Sequence, residues 1–468
     1  MKILKNFFGY FFSVLFGIIG VSVIFFTVRS AVSVSVPYIS GAAAALLLGA
    51  FIFFVIKALE KDKISARAAL GFSLAAAFIV RLLYILNVHT VPVSDFKTMF
   101  EAADLASKGD FSSFALGTYL HRFSHLTCFP LLCSLIFRLG GNLFTVKVIN
   151  MLLSVSGTYI IYLILKEMRG EKAGAAAALI YAFFLPSICY MTVFASENFA
   201  IPLFMLSFLE LIKAYKSEKI KSVCLRAAAS GAFIAFGCLM RGVSPFYISA
   251  YAVGILTVFR RHGKLPALLC LAAAFALITK IVGFAVFESG ITEYKLGESR
   301  VPFTMFILTG FNFETHGMYS EQDHAIYYEA GGDTKEMEKI IKQRVSERIR
   351  ENASKLPEHF CRKTYIAFGD GDFGGVYWSC ENGENKSNFT RFFMRSYANV
   401  FYILLLALCA SGFFRAREKD MFCMSALLPL AFWGGLMLME VQPRYPFAAA
   451  YMFVILAAYS LPCKKREI

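Results

Sequence analysis

Four ionisable side chains stand beside long apolar runs, where water is scarce and charge must be matched. They are Asp95 in Val93-Ser-Asp95-Phe96, Glu197 in Ala195-Ser-Glu197-Asn198, Arg241 in Met240-Arg241-Gly242, and Arg444 in Gln442-Pro-Arg444-Tyr445-Pro446. A carboxylate at a membrane–water boundary is partly desolvated and could take a proton from a hydroxyl or hold a divalent cation. A solvated helix N-cap is the plainer reading of Asp95 from its position. Glu197 needs a partner so close to hydrocarbon, which marks a functional candidate, although Ser196-Glu197 also fits a helix start. The forked guanidinium of Arg444, set between two prolines, suits phosphate oxygens, as does that of Arg241. The bland alternatives are snorkelling for Arg241 and a tight turn with Tyr445 as interfacial anchor for Arg444.

Weaker signals lie in two polar stretches. His121 and His125 are four apart and on a helix would share a face, yet no acidic residue completes a metal motif, so interface or phosphate contacts suit them better than zinc. Gly310-Phe-Asn312-Phe-Glu314-Thr-His316-Gly317 is rich in turn formers and reads as a binding loop. Gly369-Asp-Gly-Asp372-Phe-Gly-Gly375 lacks the spaced ligands of a calcium loop and reads as a turn. Cys361 and Cys380 share this second stretch and could pair or stay as thiols.

The elements that must position these residues are membrane helices. Of 468 residues, 58% are hydrophobic and 17% charged, against about a quarter charged in soluble domains. A spanning helix needs about twenty apolar residues, and candidate spans fall near 7–28, 37–57, 68–87, 143–165, 173–191, 196–212, 223–240, 245–259, 265–287, 397–414, 421–439 and 445–462. The first reads as an uncleaved span. The net charge of +15 resides in Lys/Arg clusters at span ends, which set topology and meet anionic headgroups, and no nucleic-acid motif accompanies it. Alternating the loops places Lys57–Arg67, Lys166–Lys172, Lys213–Arg226, Arg260–Lys264, Arg415–Lys419 and Lys464–Arg466 on one side. That parity requires Phe129–Gly140, about a dozen residues, to lie on the membrane surface. Both chain ends are then cytoplasmic, and two large loops, Val88–Asn142 and Glu288–Arg395, lie outside the plasma membrane. An amphipathic helix is expected over 334–352.

Read in order, these pieces resemble the GT-C glycosyltransferases, in particular bacterial relatives of protein O-mannosyltransferases and aminoarabinose lipid A transferases. The resemblance rests on Val93-Ser-Asp95-Phe96, the Ala-rich helix ending in Lys108-Gly-Asp110, and His125 to Pro130 opening a helix that ends in Phe137-Arg-Leu-Gly140. It continues through Leu185-Pro186, Ser196-Glu197, Gly310-Phe-Asn312 and Gln442-Pro-Arg444-Tyr445. It implies an all-α, GT-C-like bundle of about 12 transmembrane helices with outer juxtamembrane helices and a small outer loop subdomain. The units would be two N-terminal spans (1–67), a GT-C-like core (68–287), a large extracytoplasmic loop (288–395) and three C-terminal spans (396–468).

The implied activity is inverting hexosyl transfer from a polyprenyl-phosphate sugar to a protein, lipid or wall-polymer acceptor. Asp95 would be the general base or acceptor-orienting carboxylate. Arg444, with Arg241, would hold the lipid phosphate, Glu197 would be a second carboxylate, and His125, Asn312, His316, Gln442 and Tyr445 would line the substrate site. No cofactor is implied outright; a divalent cation is the one candidate, and the lone Asp95, where many relatives carry a paired acidic motif, weakens it. The rival classes are a secondary transporter, disfavoured by the long loop after the ninth span and the lack of an evident inverted repeat, and a cell-surface polysaccharide polymerase or ligase.

Overall fold

The computed structural model describes residues 36–381, 387–416 and 420–461, with residues 14, 17–25 and 28–29 of the first apolar run. Half of the expected span 7–28, with Arg417, Lys419 and the tail Lys464–Arg466, lies outside the described residues. Among the described residues the chain is helical, with no β-strand.

Among the described residues eight helices are long and apolar enough to cross a bilayer. They are α1 (Val36–Glu60), α2 (Ala66–Asn87), α5 (Leu143–Arg169), α8 (Glu197–Lys216), α9 (Ile220–Met240), α11 (Arg261–Glu288), α15 (Asn388–Ala416) and α16 (Asp420–Leu438). A further apolar pair is bent: α6 (Glu171–Ala182) meets α7 (Leu185–Cys189) and the turn after it at 59°, the shape of a broken span or a re-entrant loop. The span expected at 245–259 is present at its expected length, as α10 (Ser244–Val258), which at 1.5 Å per residue reaches only roughly 22 Å. The one expected at 445–462 is shorter: α17 covers Tyr451–Ser460, and the chain between Arg444 and it is taken up by the turn Tyr445–Ala449.

Helices outside the spans include α3 (Ser94–Ser107), α4 (Cys128–Arg138), and, in the second loop, α13 (Thr334–Glu351), which packs Met337 and Ile341 against Met305 and Leu308 of α12 (Thr304–Gly310). Helix α14 (Leu356–Phe368) follows. As expected, α4 is too short to span.

The buried centre of the bundle is α17, every residue of which is buried, together with α6. Around it, α1 and α11 present Leu46, Phe54, Leu269 and Phe284 outward, as lipid-facing helices do. Close approaches need glycine: a Cβ on Gly231 of α9 would stand 2.2 Å from the Leu271 carbonyl oxygen of α11, and one on Gly41 of α1 would stand 2.1 Å from that of Phe393.

The break between α6 and α7 frees carbonyls inside the bundle, and Arg81 of α2 serves them. Its guanidinium donates to the Ala182 carbonyl at 2.9 Å, to Ser187 Oγ at 2.7 Å, to Ser154 Oγ at 2.8 Å and to the Ala77 carbonyl at 3.2 Å. Arg81 is wholly buried, and sequence reading had passed over it within an apolar run.

The basic loops gather at one end. Lys172 pairs with Asp62 at 2.7 Å, Lys216 with Glu167 at 3.3 Å, Arg226 with Glu210 at 2.7 Å, and Arg169 donates to the Leu461 carbonyl at 2.8 Å. Asp95, Glu197, Arg241 and Arg444 sit at the helix ends opposite. Replacing Arg81 with Leu strands the freed carbonyls and should lower stability by about 3 kcal/mol, read as a fall in the thermal unfolding midpoint of the detergent-solubilised protein.

Candidate active site at the bundle end

Ser94 takes a left-handed backbone (φ 52°) that turns the chain from the end of α2 into α3, setting Asp95 in the first turn. The turn between α16 and α17 brings Arg444 over it. Arg444 Nη2 donates to Asp95 Oδ2 at 2.8 Å, and the guanidinium lies 5.2 Å from the Phe96 ring, 5.3 Å from Trp378 and 5.8 Å from Tyr445. Three aromatic faces and one carboxylate therefore hold a cation that is only 7% exposed. Its Nε has no hydrogen-bond partner. Burial alone would raise the Asp95 carboxyl. The Arg444 charge and hydrogen bond outweigh it, aided by the Tyr119 hydroxyl and by Arg241, and hold it below the usual carboxylate value.

A second pair lies beside the first. Glu197 opens α8 at 1% exposure, and its Oε1 stands 3.4 Å from Arg241 Nε without a well-formed hydrogen bond. Arg241 also lies 5.7 Å from the Tyr445 ring, so that ring is flanked by both guanidinium groups. The Tyr445 hydroxyl donates to Glu440 Oε1 at 2.7 Å, and Gln442 Nε2 donates to the same oxygen at 2.8 Å.

His125 packs against Gly242, beside Arg241: a Cβ on Gly242 would meet the imidazole at 2.9 Å. Enclosure and the Arg241 charge push this imidazole below its ordinary range. His121 and His125 do not share a helix face. The one-turn helix Tyr119–Arg122 ends at Phe123, and His121 turns away to stack on Tyr294 at 4.8 Å.

Asn312 and His316 lie one layer behind. Asn312 Oδ1 accepts from the Glu314 and Thr315 amides at 3.1 Å, and its Nδ2 donates to Asp323, which Arg348 grips at 2.6 Å. His316 occupies a left-handed turn position (φ 54°) before Gly317. This loop clamps the Arg444 turn: the Glu440 amide donates to Phe306 O at 2.7 Å and the Val441 amide to Gly317 O at 2.8 Å. Lys363 of α14 rivets the junction by donating to the carbonyls of Gly310 at 2.8 Å, Met437 at 2.9 Å and Met439 at 2.7 Å. Burial pushes its ammonium down to about 7, against a smaller upward pull from Glu440.

The Gly369–Gly375 stretch is a turn, and it positions Trp378. Asp372 accepts the amides of Gly374 and Val376 at 2.8 Å each, capping the helical turn that carries Trp378. Cys361 is an exposed thiol and Cys380 a buried one packed by Tyr84 and Met394, so the two do not pair. Among the described residues no three His, Cys, Asp or Glu side chains converge as a metal site. At this bundle end Asp95 and Glu197 each face a guanidinium instead, a donor set that does not fit a divalent cation.

Sequence reading brought Asp95, Glu197, Arg241, Arg444 and Tyr445 to one membrane face, and they lie together here. It missed Trp378, Tyr119, Glu440 and Lys363. Trp378 is one of only two tryptophans in the chain, and Lys363 stands just before a run of small and acidic residues; neither signal tells which group it meets. Replacing Lys363 with Met should lower stability by about 3 kcal/mol and speed amide exchange in residues 306–317 and 437–445, measured by hydrogen–deuterium exchange mass spectrometry.

Residues 125–283 match the dolichyl-phosphate-mannose-protein mannosyltransferase family. Among curated proteins no sequence matches the chain. The fold is similar to that of the Archaeoglobus fulgidus oligosaccharyltransferase tethered to an acceptor peptide, with a TM-score of 0.51 and 14% identity over 84% of this chain and 49% of that one. A second structure of the archaeal enzyme, AglB with an inhibitory peptide and a dolichol-phosphate, aligns with a TM-score of 0.48 and 15% identity over 85% of this chain and 50% of that one. The chain thus spans about half the length of these oligosaccharyltransferases. With its helical bundle, the short helices at the bundle end and the family match through its central third, this chain has the GT-C fold.

Proposed function

We propose that this protein is a membrane glycosyltransferase that moves a sugar from a polyprenyl-phosphate carrier to an acceptor at the extracytoplasmic face. The observation that carries the reading is Arg444: a buried guanidinium at the membrane boundary, bound by one carboxylate and retaining an unpaired Nε. A lipid phosphate is the anion that such a site would meet from the bilayer. The phosphate leaves in the displacement, and charge developing on it is where fixed cations act most strongly. Arg241, flanking the same Tyr445 ring, is the second cation.

In this reading Asp95 orients the incoming hydroxyl for in-line attack on the anomeric carbon, with inversion. Its carboxyl stays charged at neutral pH because Arg444 holds it down. Glu197, with an oxygen free of hydrogen bonds, faces the donor sugar, and the loop 288–395 forms the acceptor side. The similarity of residues 125–283 to a family named for a dolichyl-phosphate-mannose donor supports a lipid-linked hexose.

Asp95→Asn and Arg444→Gln should each reduce transfer of radiolabelled sugar from polyprenyl-phosphate-mannose into membrane acceptors by at least about 100-fold, with membrane insertion intact. Full activity in Asp95→Asn, or solute uptake in proteoliposomes without lipid-sugar turnover, contradicts the assignment. Sidedness has its own probe. Cys361 is the exposed cysteine among the described residues, so a membrane-impermeant maleimide added to intact cells should label the protein, and Cys361→Ser should abolish that labelling.

A further inference from the structure

Glu440 is a third carboxylate at this end, and no guanidinium faces it in an ion pair. It is 4% exposed. Its Oε1 is committed to the Tyr445 hydroxyl and the Gln442 amide, while Oε2 faces His324 Nε2 at 3.9 Å. That nitrogen is buried and has no hydrogen-bond partner, although 19% of the His324 side chain is exposed. The imidazole is therefore buried at the nitrogen that faces Glu440 and only partly covered as a whole.

The ring is also held in place. His324 ends a one-turn helix capped by Ser320, and its neighbour Asp323 is locked by Asn312 and Arg348. Tyr319 lies tilted against the imidazole, ring centroids 4.8 Å apart. Glu440, which His324 faces, is joined through the Tyr445 hydroxyl to the ring beside Arg444, and Arg444 in turn holds Asp95, the carboxylate assigned to orient the acceptor.

Asp95 itself is a weak proton acceptor, because its charged form is the one that Arg444 and Tyr119 stabilise. An imidazole backed by a buried carboxylate is a better one, since the carboxylate orients the ring and stabilises the imidazolium as it forms. Resting-state hydrogen bonds of such pairs are often long and tighten with substrate.

We propose that His324, oriented by Glu440, takes the proton of the acceptor hydroxyl during glycosyl transfer, an assignment that rests on the transfer reading above. As the acceptor oxygen bonds to the anomeric carbon, its O–H bond breaks and the proton passes to His324 Nδ1. The bond from the anomeric carbon to the phosphate oxygen breaks, and its electron pair leaves with the lipid phosphate toward Arg444. Glu440 holds the Nε2–H of the resulting imidazolium.

The test uses the full chain in nanodiscs, radiolabelled polyprenyl-phosphate-mannose as donor, and extracted membranes of cells lacking the protein as the acceptor pool. His324→Gln should lower kcat about 100-fold with the donor KM unchanged. His324→Gly should be inactive and regain transfer on addition of imidazole, a rescue that a merely structural role would not give. Asp95→Asn should be inactive and insensitive to imidazole. An undiminished rate in His324→Gln, or failure of imidazole to restore His324→Gly, overturns the proton assignment while leaving transfer itself standing. No transfer by the unaltered chain overturns both.

Discussion

Arg444 is a permanent cation at the edge of the hydrocarbon, and a single carboxylate balances it. A buried ion pair is costly to desolvate, and removing one partner typically destabilises by about 3–5 kcal/mol. Here the aromatic faces of Phe96, Trp378 and Tyr445 replace part of the lost hydration. The surrounding elements answer to this arrangement. Helix α3 begins with a left-handed residue so that Asp95 points at the turn, Asp372 caps the segment that delivers Trp378, and the second loop grips the backbone on either side of Glu440.

The same accounting of charge recurs deeper in the bundle without any carboxylate. Arg81 binds carbonyls and hydroxyls around the break between α6 and α7, and Lys363 binds three carbonyls at the junction of loop and bundle. In both places a buried cation donates to carbonyls at helix ends, the Ala182 carbonyl for Arg81 and those of Gly310, Met437 and Met439 for Lys363. The broken helix and the Arg444 turn are irregular backbone next to a membrane, tolerated because protein groups satisfy what water cannot reach.

Much of this was legible in the sequence because membrane insertion writes itself in composition. Long apolar runs and one-sided Lys/Arg clusters mark the helices, and the reading of Phe129–Gly140 as a surface helix followed from its short length and the charge bias. Asp95, Glu197, Arg241 and Arg444 stood out because ionisable groups beside apolar runs are rare. What the pattern could not give was pairing: nothing local to Asp95 names Arg444, which is distant in the chain, and Arg81 looks like one charge lost in an apolar stretch. Helix α17 was read as a full span from residue 445 because hydropathy does not register where a helix gives way to a turn. The proposed His121–His125 face failed on one residue, Phe123, whose backbone leaves the helix.

The basic end of the bundle carries a consequence for biogenesis. Its contacts join loops made early to segments made late: Asp62 waits for Lys172, Glu167 for Lys216, and Arg169 for the carbonyl of Leu461. A nascent helix threaded in the wrong direction would leave such a partner unanswered at the bilayer surface, and α17, buried on every side, could not dock. Docking of α17 thereby depends on the helices before it having entered the membrane the right way round.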